Sequence, residues 1–183
     1  METRTGRTIA VGWAAALCSV ALGQAAAASP AQDARQPASS MSLVVFEDVP
    51  GSEALLRGDY EAGLGESLEA AQRSSRRRAF QLASNVCVAQ LKLGRMQAAR
   101  EQCGRVAEAA LDPREGLATV QLHHAVALVN QGVLLSVQGD VEAASERFDE
   151  ARRRFPELGV ARSNLLWIST AGGEPSVTVG EGP

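Results

Sequence analysis

The sequence is poor in aromatic residues and carries no large excess of either charge. Phe, Trp and Tyr make up 4% of its 183 residues, and the formal net charge is -3, with both signs interleaved along the chain. A chain without a broad cationic face is a poor candidate for nucleic-acid binding, and so few aromatic residues disfavour a β-rich core. The residues that dominate instead, Ala, Leu, Val, Glu and Arg, are typical of close-packed helices. We therefore predict an all-α fold and no nucleic-acid partner.

Motifs of the common enzyme classes are also missing. The sequence contains no Gly-x-Ser-x-Gly elbow and no glycine-rich phosphate loop followed by Lys. Its two histidines, His123 and His124, are adjacent; on a helix they point about 100° apart, so they do not easily share one metal ion. We predict that the chain is not an enzyme and has neither a metal site nor a cofactor.

The N-terminal residues have the pattern of a secretory signal. An apolar run of 14 residues at 9–22 follows Arg4 and Arg7 and precedes small residues up to Ala28. That run is shorter than the about 20 residues that span a bilayer. We predict a signal peptide at 1–28, cleavage after Ala28, and a periplasmic or secreted protein that touches a membrane only if the signal stays uncleaved.

The composition then divides the exported chain into three parts. Residues 29–42 are small, polar and Pro-containing, which predicts a flexible linker. A helical domain is expected at 43–170, and residues 171–183, rich in Gly and Pro, are expected to form a disordered tail. The run LVVF at 43–46 favours a short strand, but without a partner strand it is expected to lie extended against the first helices.

Inside the domain the sequence repeats itself at glycines that end helices. From Gly139, a small residue follows at offset 5, apolar or small residues at offsets 9 and 12, and Pro at offset 17, and the copies from Gly94 and Gly58 follow the same scheme less completely. Such a Gly opens a tight turn, the small residue lets two helices approach, and the later residues face a neighbouring helix. The residues that carry the repeat are Gly58, Gly94, Ala99, Gly132, Gly139, Ala144, Phe148, Ala151 and Pro156.

This pattern resembles the tetratricopeptide repeat (TPR), a helical hairpin of about 34 residues, over residues 51 to about 173. The resemblance implies a right-handed stack of antiparallel helical hairpins, a TPR-like solenoid of about three repeats plus a capping helix. The spacings of 36 residues from Gly58 to Gly94 and 45 from Gly94 to Gly139 depart from the family's period. Pro50 and Gly51 stand where the first helix should begin, so that helix is expected to be shortened.

The longer interval contains a capping-box pattern, DPRE at 112–115. It predicts one helix from Asp112 to Gln138. A break near Gly116, leaving a short separate helix, is the alternative. In the continuous helix the mostly buried positions are Leu117, Val120, Ala127, Leu128, Leu134 and Leu135.

Three asparagines occupy equivalent positions, each nine residues before a glycine at 94, 139 or 173. In the family, first helices line a concave groove, so the resemblance implies an asparagine ladder that grips the backbone of a bound peptide. Local bonding to a neighbouring helix is the alternative. The residues are Asn85, Asn130 and Asn164.

Apolar neighbours complete the predicted binding surface. Val88 and Val133 lie three residues beyond two of the asparagines, where they favour apolar contact with a partner. Trp167, on the expected capping helix, either contacts a partner or fills the end of the core. The predicted function is an adaptor or scaffold that holds a partner protein or peptide in its groove. The alternative is a structural subunit of an envelope assembly that uses its convex or C-terminal surface.

Export also bears on Cys87 and Cys103, because an oxidising compartment permits them to pair. They lie seven residues before and nine residues after Gly94, hence in one hairpin. A disulfide requires their Cα atoms to lie within about 7 Å. The alternative is a pair of small buried thiols.

Overall fold

The computed structural model describes residues 40–111, 114–170 and 177–181, which belong to one compact unit. This part of the chain is mostly helical, which confirms the all-α prediction at that level. It holds seven helices and two short strands: β1 Met41–Val45, α1 Ser52–Leu56, α2 Tyr60–Ala71, α3 Arg76–Lys92, α4 Met96–Ala109, α5 Leu117–Val137, α6 Val141–Arg154, α7 Gly159–Thr170 and β2 Val177–Glu181.

The predicted glycine turns follow α1, α3 and α5. Gly58, Gly94 and Gly139 have φ of 84°, 69° and 87°, in the left-handed region that an L side chain rarely adopts. After each, the next N–H reaches back to the last turn of the helix; the N–H of Asp140, for example, donates to the Leu135 carbonyl at 3.0 Å. The following helix begins at once, with Asp140 capping α6 by accepting the Ala143 N–H at 3.1 Å.

Small residues let these helices approach closely. Each helix packs on the next one along the chain, and Ala99, Ala144 and Ala151 are fully buried. Gly132 on α5 faces Phe148 on α6, and a Cβ at Gly132 would lie 2.5 Å from Cε1 of that ring. The opening helix α1 has only five residues, as Pro50 and Gly51 indicated.

The prediction of a continuous helix from Asp112 is wrong. The helix α5 begins at Leu117, Gly116 is extended with φ of -65° and ψ of 148°, and neither Arg114 nor Glu115 is helical. Asp112 and Pro113 lie outside the described residues. Because α5 starts late, Leu117 lies in its first turn and is 74% exposed rather than buried. Val120 and Leu135 are half-buried, while Ala127, Leu128 and Leu134 are buried as expected.

Within the described residues, α5 is also the one helix long and apolar enough to cross a membrane by length and composition. Most of it is buried inside the fold, against α4, α6 and β1. The central helix of a packed core has the same properties.

The prediction of a disordered tail is wrong for Val177–Glu181. This segment, β2, pairs in parallel with β1, in the register Met41 to Val177 through Val45 to Glu181. A single strand has no backbone partners by itself, so the pairing becomes possible only once the fold brings two distant segments together.

The predicted linker likewise ends early, because β1 already begins at Met41. The predicted signal peptide at 1–28, residues 29–39, 171–176 and 182–183 lie outside the described residues.

Candidate functional site

The three asparagines lie on α3, α5 and α7, which all contact β1, as does the short helix α1. We call the side of these helices that carries Asn85, Asn130 and Asn164 the inner face, and the three residues the asparagine ladder. Equivalent positions on successive repeats bring side chains that are far apart in sequence into one row. In the structure the ladder faces an extended segment of the same chain, whereas the sequence predicted a segment of a partner.

Each asparagine pairs with both backbone groups of one residue of that segment. Asn164 Oδ1 accepts the Ser42 N–H at 2.8 Å, and its Nδ2 donates to the Ser42 carbonyl at 2.9 Å. Asn130 forms the same pair of bonds with Val44, at 2.9 and 3.0 Å. A side-chain amide can do this because it carries both an acceptor and donors.

Asn85 completes the row with Phe46, the residue after β1. Its Oδ1 accepts the Phe46 N–H at 2.9 Å, and its Nδ2 donates to the Phe46 carbonyl at 2.8 Å. The contacted residues alternate along the strand, since successive residues direct their backbone groups to opposite edges. The strand runs from the last helix of the row back to the first.

The ladder is closed to solvent. Asn85 and Asn164 are 0% exposed and Asn130 is 1% exposed, and the apolar side chains of β1 are buried beside them. Among the described buried side chains, the only polar atom without a hydrogen-bond partner is Gln90 Oε1. Asn130 Nδ2 also lies 3.4 Å from Ser84 Oγ on α3. These amides are therefore held in one orientation by paired bonds.

The expectation of an open groove is consequently wrong for this state of the protein. Val88 and Val133 are fully buried. Trp167 on α7 is 6% exposed, so it is part of the hydrophobic core. The expectation failed because β1 occupies the inner face that a partner was expected to occupy. The alternative of asparagines that bond only a neighbouring helix describes none of the three, since each amide bonds the backbone of the segment from Ser42 to Phe46. As partner contacts these residues stay a prediction.

An aromatic cluster that sequence reasoning missed anchors the end of β1. Phe46 lies edge-on to Phe80 and to His123, at ring-centroid distances of 5.8 and 5.7 Å. His123 stacks on Phe80 at 4.1 Å. His123 thus packs with aromatic rings, and no group of three or more His, Cys, Asp or Glu suited to a metal ion occurs in the described part. The packing of these three rings holds Phe46 beside Asn85.

A disulfide braces the helix that carries Asn85. Cys87 on α3 and Cys103 on α4 are bonded, with their Cα atoms 5.1 Å apart. Of the two alternatives that the sequence left open, the structure has the bridge. Both residues are buried in the core cluster, so the bond ties two packed helices together rather than closing a surface loop.

Among the residues that the structure describes, those with shifted pKa values are His124 on α5 and Glu150 on α6. A hydrogen bond from Arg154 lowers the pKa of Glu150, against the opposing effect of its partial burial. Burial lowers the pKa of His124, and the nearby positive charge of Arg154 lowers it further. The first shift reflects an ion pair near the end of α6, and the second reflects mainly partial burial.

Comparisons with family models, with curated proteins and with solved structures found no match to this chain. Its function is therefore inferred from the geometry of the inner face.

Proposed function

We propose that this chain is an exported, TPR-like adaptor that binds an extended segment of a partner protein at its inner face. The described helices would form the predicted right-handed solenoid, with α7 as its capping helix. The observation that carries the proposal is the asparagine ladder, which holds an extended backbone through both groups of every second residue. Backbone pairing of this kind is the physical basis of extended-peptide recognition.

The strand β1 is part of this inner face rather than a loosely bound ligand. Met41, Leu43, Val44, Val45 and Phe46 are all buried, and burying a large apolar side chain contributes about 1.5–3 kcal/mol. Their combined burial contributes roughly 10 kcal/mol of gross transfer free energy on that scale, which a partner that displaced β1 would have to replace. A partner is therefore expected to bind beside β1 and not in its place.

Site-specific photo-cross-linking in the envelope tests this function. The photoreactive residue is placed at Glu47, exposed just after β1, and in a matched variant at Glu108, exposed on α4. The main contacts of α4 are with α3 and α5 and not with β1. Glu108 therefore reports on a surface away from β1. We expect a protein adduct at Glu47 and a much weaker one at Glu108.

The pattern of adducts separates the two candidate functions. Adducts formed only at Glu108 would favour the structural subunit that assembles through its outer surface. Adducts at neither position, with both variants folded and exported, would contradict partner binding by these two surfaces.

A further inference from the structure

The strand β1 has two edges, and they have different partners. Ser42, Val44 and Phe46 direct their N–H and C=O groups to the asparagine ladder. The alternate residues Leu43 and Val45 therefore direct theirs to the opposite edge, where β2 lies in parallel register.

The register fixes which residues of β2 bond to β1. Ser42 stands opposite Thr178, and Val44 stands opposite Gly180. Because the groups of Ser42 and Val44 are already bonded to asparagines, the parallel ladder must run from Thr178 and Gly180 to the flanking residues of β1. The backbone groups of Val177 and Val179 then point away from β1.

The two strands are held very differently. The segment from Met41 to Phe46 is bonded by asparagines of three helices, and its apolar side chains belong to the core cluster. The strand β2 contacts β1 and α1, and it follows α7, the last of the described helices. Removing β2 leaves every asparagine bond intact and exposes one strand edge, which is a ready template for another strand.

We propose that the edge of β1 opposite the asparagine ladder is the site where the partner's extended segment pairs in parallel, replacing β2. This rests on the proposed function and assigns its binding site. The sequence of β2, VTVGE, defines the occupant: an extended segment that begins with three consecutive β-branched residues. Proline is excluded at the positions of Thr178 and Gly180, because each must donate an N–H to β1. The asparagine ladder acts as a positioning device that keeps β1 straight and its opposite edge aligned for pairing.

Peptide uptake after a specific cut tests the site. A protease recognition sequence is inserted between Thr170 and Val177, the intact chain is folded, and it is then cut. A labelled peptide of residues 175–183, PSVTVGEGP, is titrated against the cut chain by fluorescence anisotropy. We expect saturable binding to the cut chain and far weaker binding to the uncut chain, whose tethered β2 competes at an effective concentration of about 1 mM or more.

Backbone methylation shows whether the peptide uses the edge. Methylation of the backbone nitrogens at Thr178 and Gly180 removes the donors that face β1, and we expect it to weaken binding at least about tenfold. Methylation at Val177 and Val179 alters the same number of nitrogens on the outer edge and is expected to change affinity less than about threefold.

A reversible lock provides the second control. Ser42→Cys with Thr178→Cys places thiols at paired positions, since neighbouring strands lie about 4.8 Å apart and a disulfide spans Cα distances of about 4.4–6.8 Å. The oxidised variant should retain its own strand after cutting and exclude the peptide, while the reduced variant should bind it. The wild-type sequence in the same cut chain, treated with the same reductant, controls for effects on Cys87 and Cys103.

Three outcomes would overturn the proposal: a cut chain that takes up no peptide, equal affinity for the two methylated peptides, or uptake unaffected by the lock. Dimerisation of the cut chain that excludes the peptide would assign the edge to a second copy instead. None of these outcomes bears on whether a partner is cross-linked at Glu47, so the proposed function can stand or fall separately.

Discussion

Asn130 pairs with Val44 through both ends of its side-chain amide, accepting the N–H at 2.9 Å and donating to the carbonyl at 3.0 Å, 86 residues away in sequence. The substitution Asn130→Ala leaves two buried backbone groups without partners, each costing about 1–3 kcal/mol. We expect the free energy of unfolding to fall by about 2–4 kcal/mol in urea titrations.

Gln121→Ala is the matched control for this prediction. It also removes an amide from α5, but at an exposed position, and should change the free energy of unfolding by no more than about 0.5 kcal/mol. Similar small effects for both substitutions would contradict a supporting role for the asparagine ladder.

The close approach of α5 and α6 predicts that Gly132 tolerates no side chain. Gly132→Ala would place a Cβ against the buried ring of Phe148, at 2.5 Å from Cε1, and should destabilise the protein by about 1–3 kcal/mol. Gly104→Ala is the control, because nothing lies within 4 Å of a Cβ there. In α4 it should stabilise the helix by up to about 1 kcal/mol. Thermal unfolding of both variants measures these effects. A neutral effect of Gly132→Ala would contradict the close packing of α5 against α6.

The disulfide should contribute measurably to stability. Cys87 and Cys103 are separated by 16 positions, and closing a loop of that length stabilises the native state by about 3 kcal/mol in the chain-entropy description. The double substitution to Ala is therefore expected to lower the midpoint of urea unfolding without loss of helical content. Labelling of thiols in unfolded, unreduced protein checks the bond directly, and two reactive thiols at these positions would rule it out.

The ion pair at the end of α6 predicts a small pH dependence. The hydrogen bond from Arg154 lowers the pKa of Glu150 in the folded state, so its stabilisation is present above the ordinary glutamate pKa and is lost as the pH falls through the lowered value. Arg154→Gln should raise the pKa of Glu150 and remove about 0.3–0.5 kcal/mol at neutral pH, as expected for an exposed helix pair. The two proteins should converge in stability at acidic pH. NMR titration of Glu150 with an unchanged midpoint would contradict this assignment.

Export predicts processing of the N terminus. Protein recovered from the envelope or medium should begin at or near Ser29, because cleavage is expected after Ala28. Mass spectrometry of the purified chain measures this. An intact Met1 would show that the segment is not removed.

Much of the helical framework was predictable because its signals are local. Gly58, Gly94 and Gly139 mark the turns, because glycine readily adopts the left-handed backbone conformation that ends a helix. The small residue at Gly132 and the ring of Phe148 were identified by spacing from the same turn, and they meet in the structure. The start of α5 was missed because a capping pattern at 112–115 competes with the extended backbone at Gly116, and only the packed structure decides between them.

The sequence by itself determined that Asn85, Asn130 and Asn164 are equivalent and that each can bond a peptide backbone. Their spacing from repeated glycines and the chemistry of an amide are properties of short segments. Only the tertiary structure decided which backbone they bond. The pairing of Asn164 with Ser42 spans 122 residues, and that of β1 with β2 joins the two ends of the described chain. Such contacts depend on the closure of long loops and on the shape of the whole core, which no local pattern specifies.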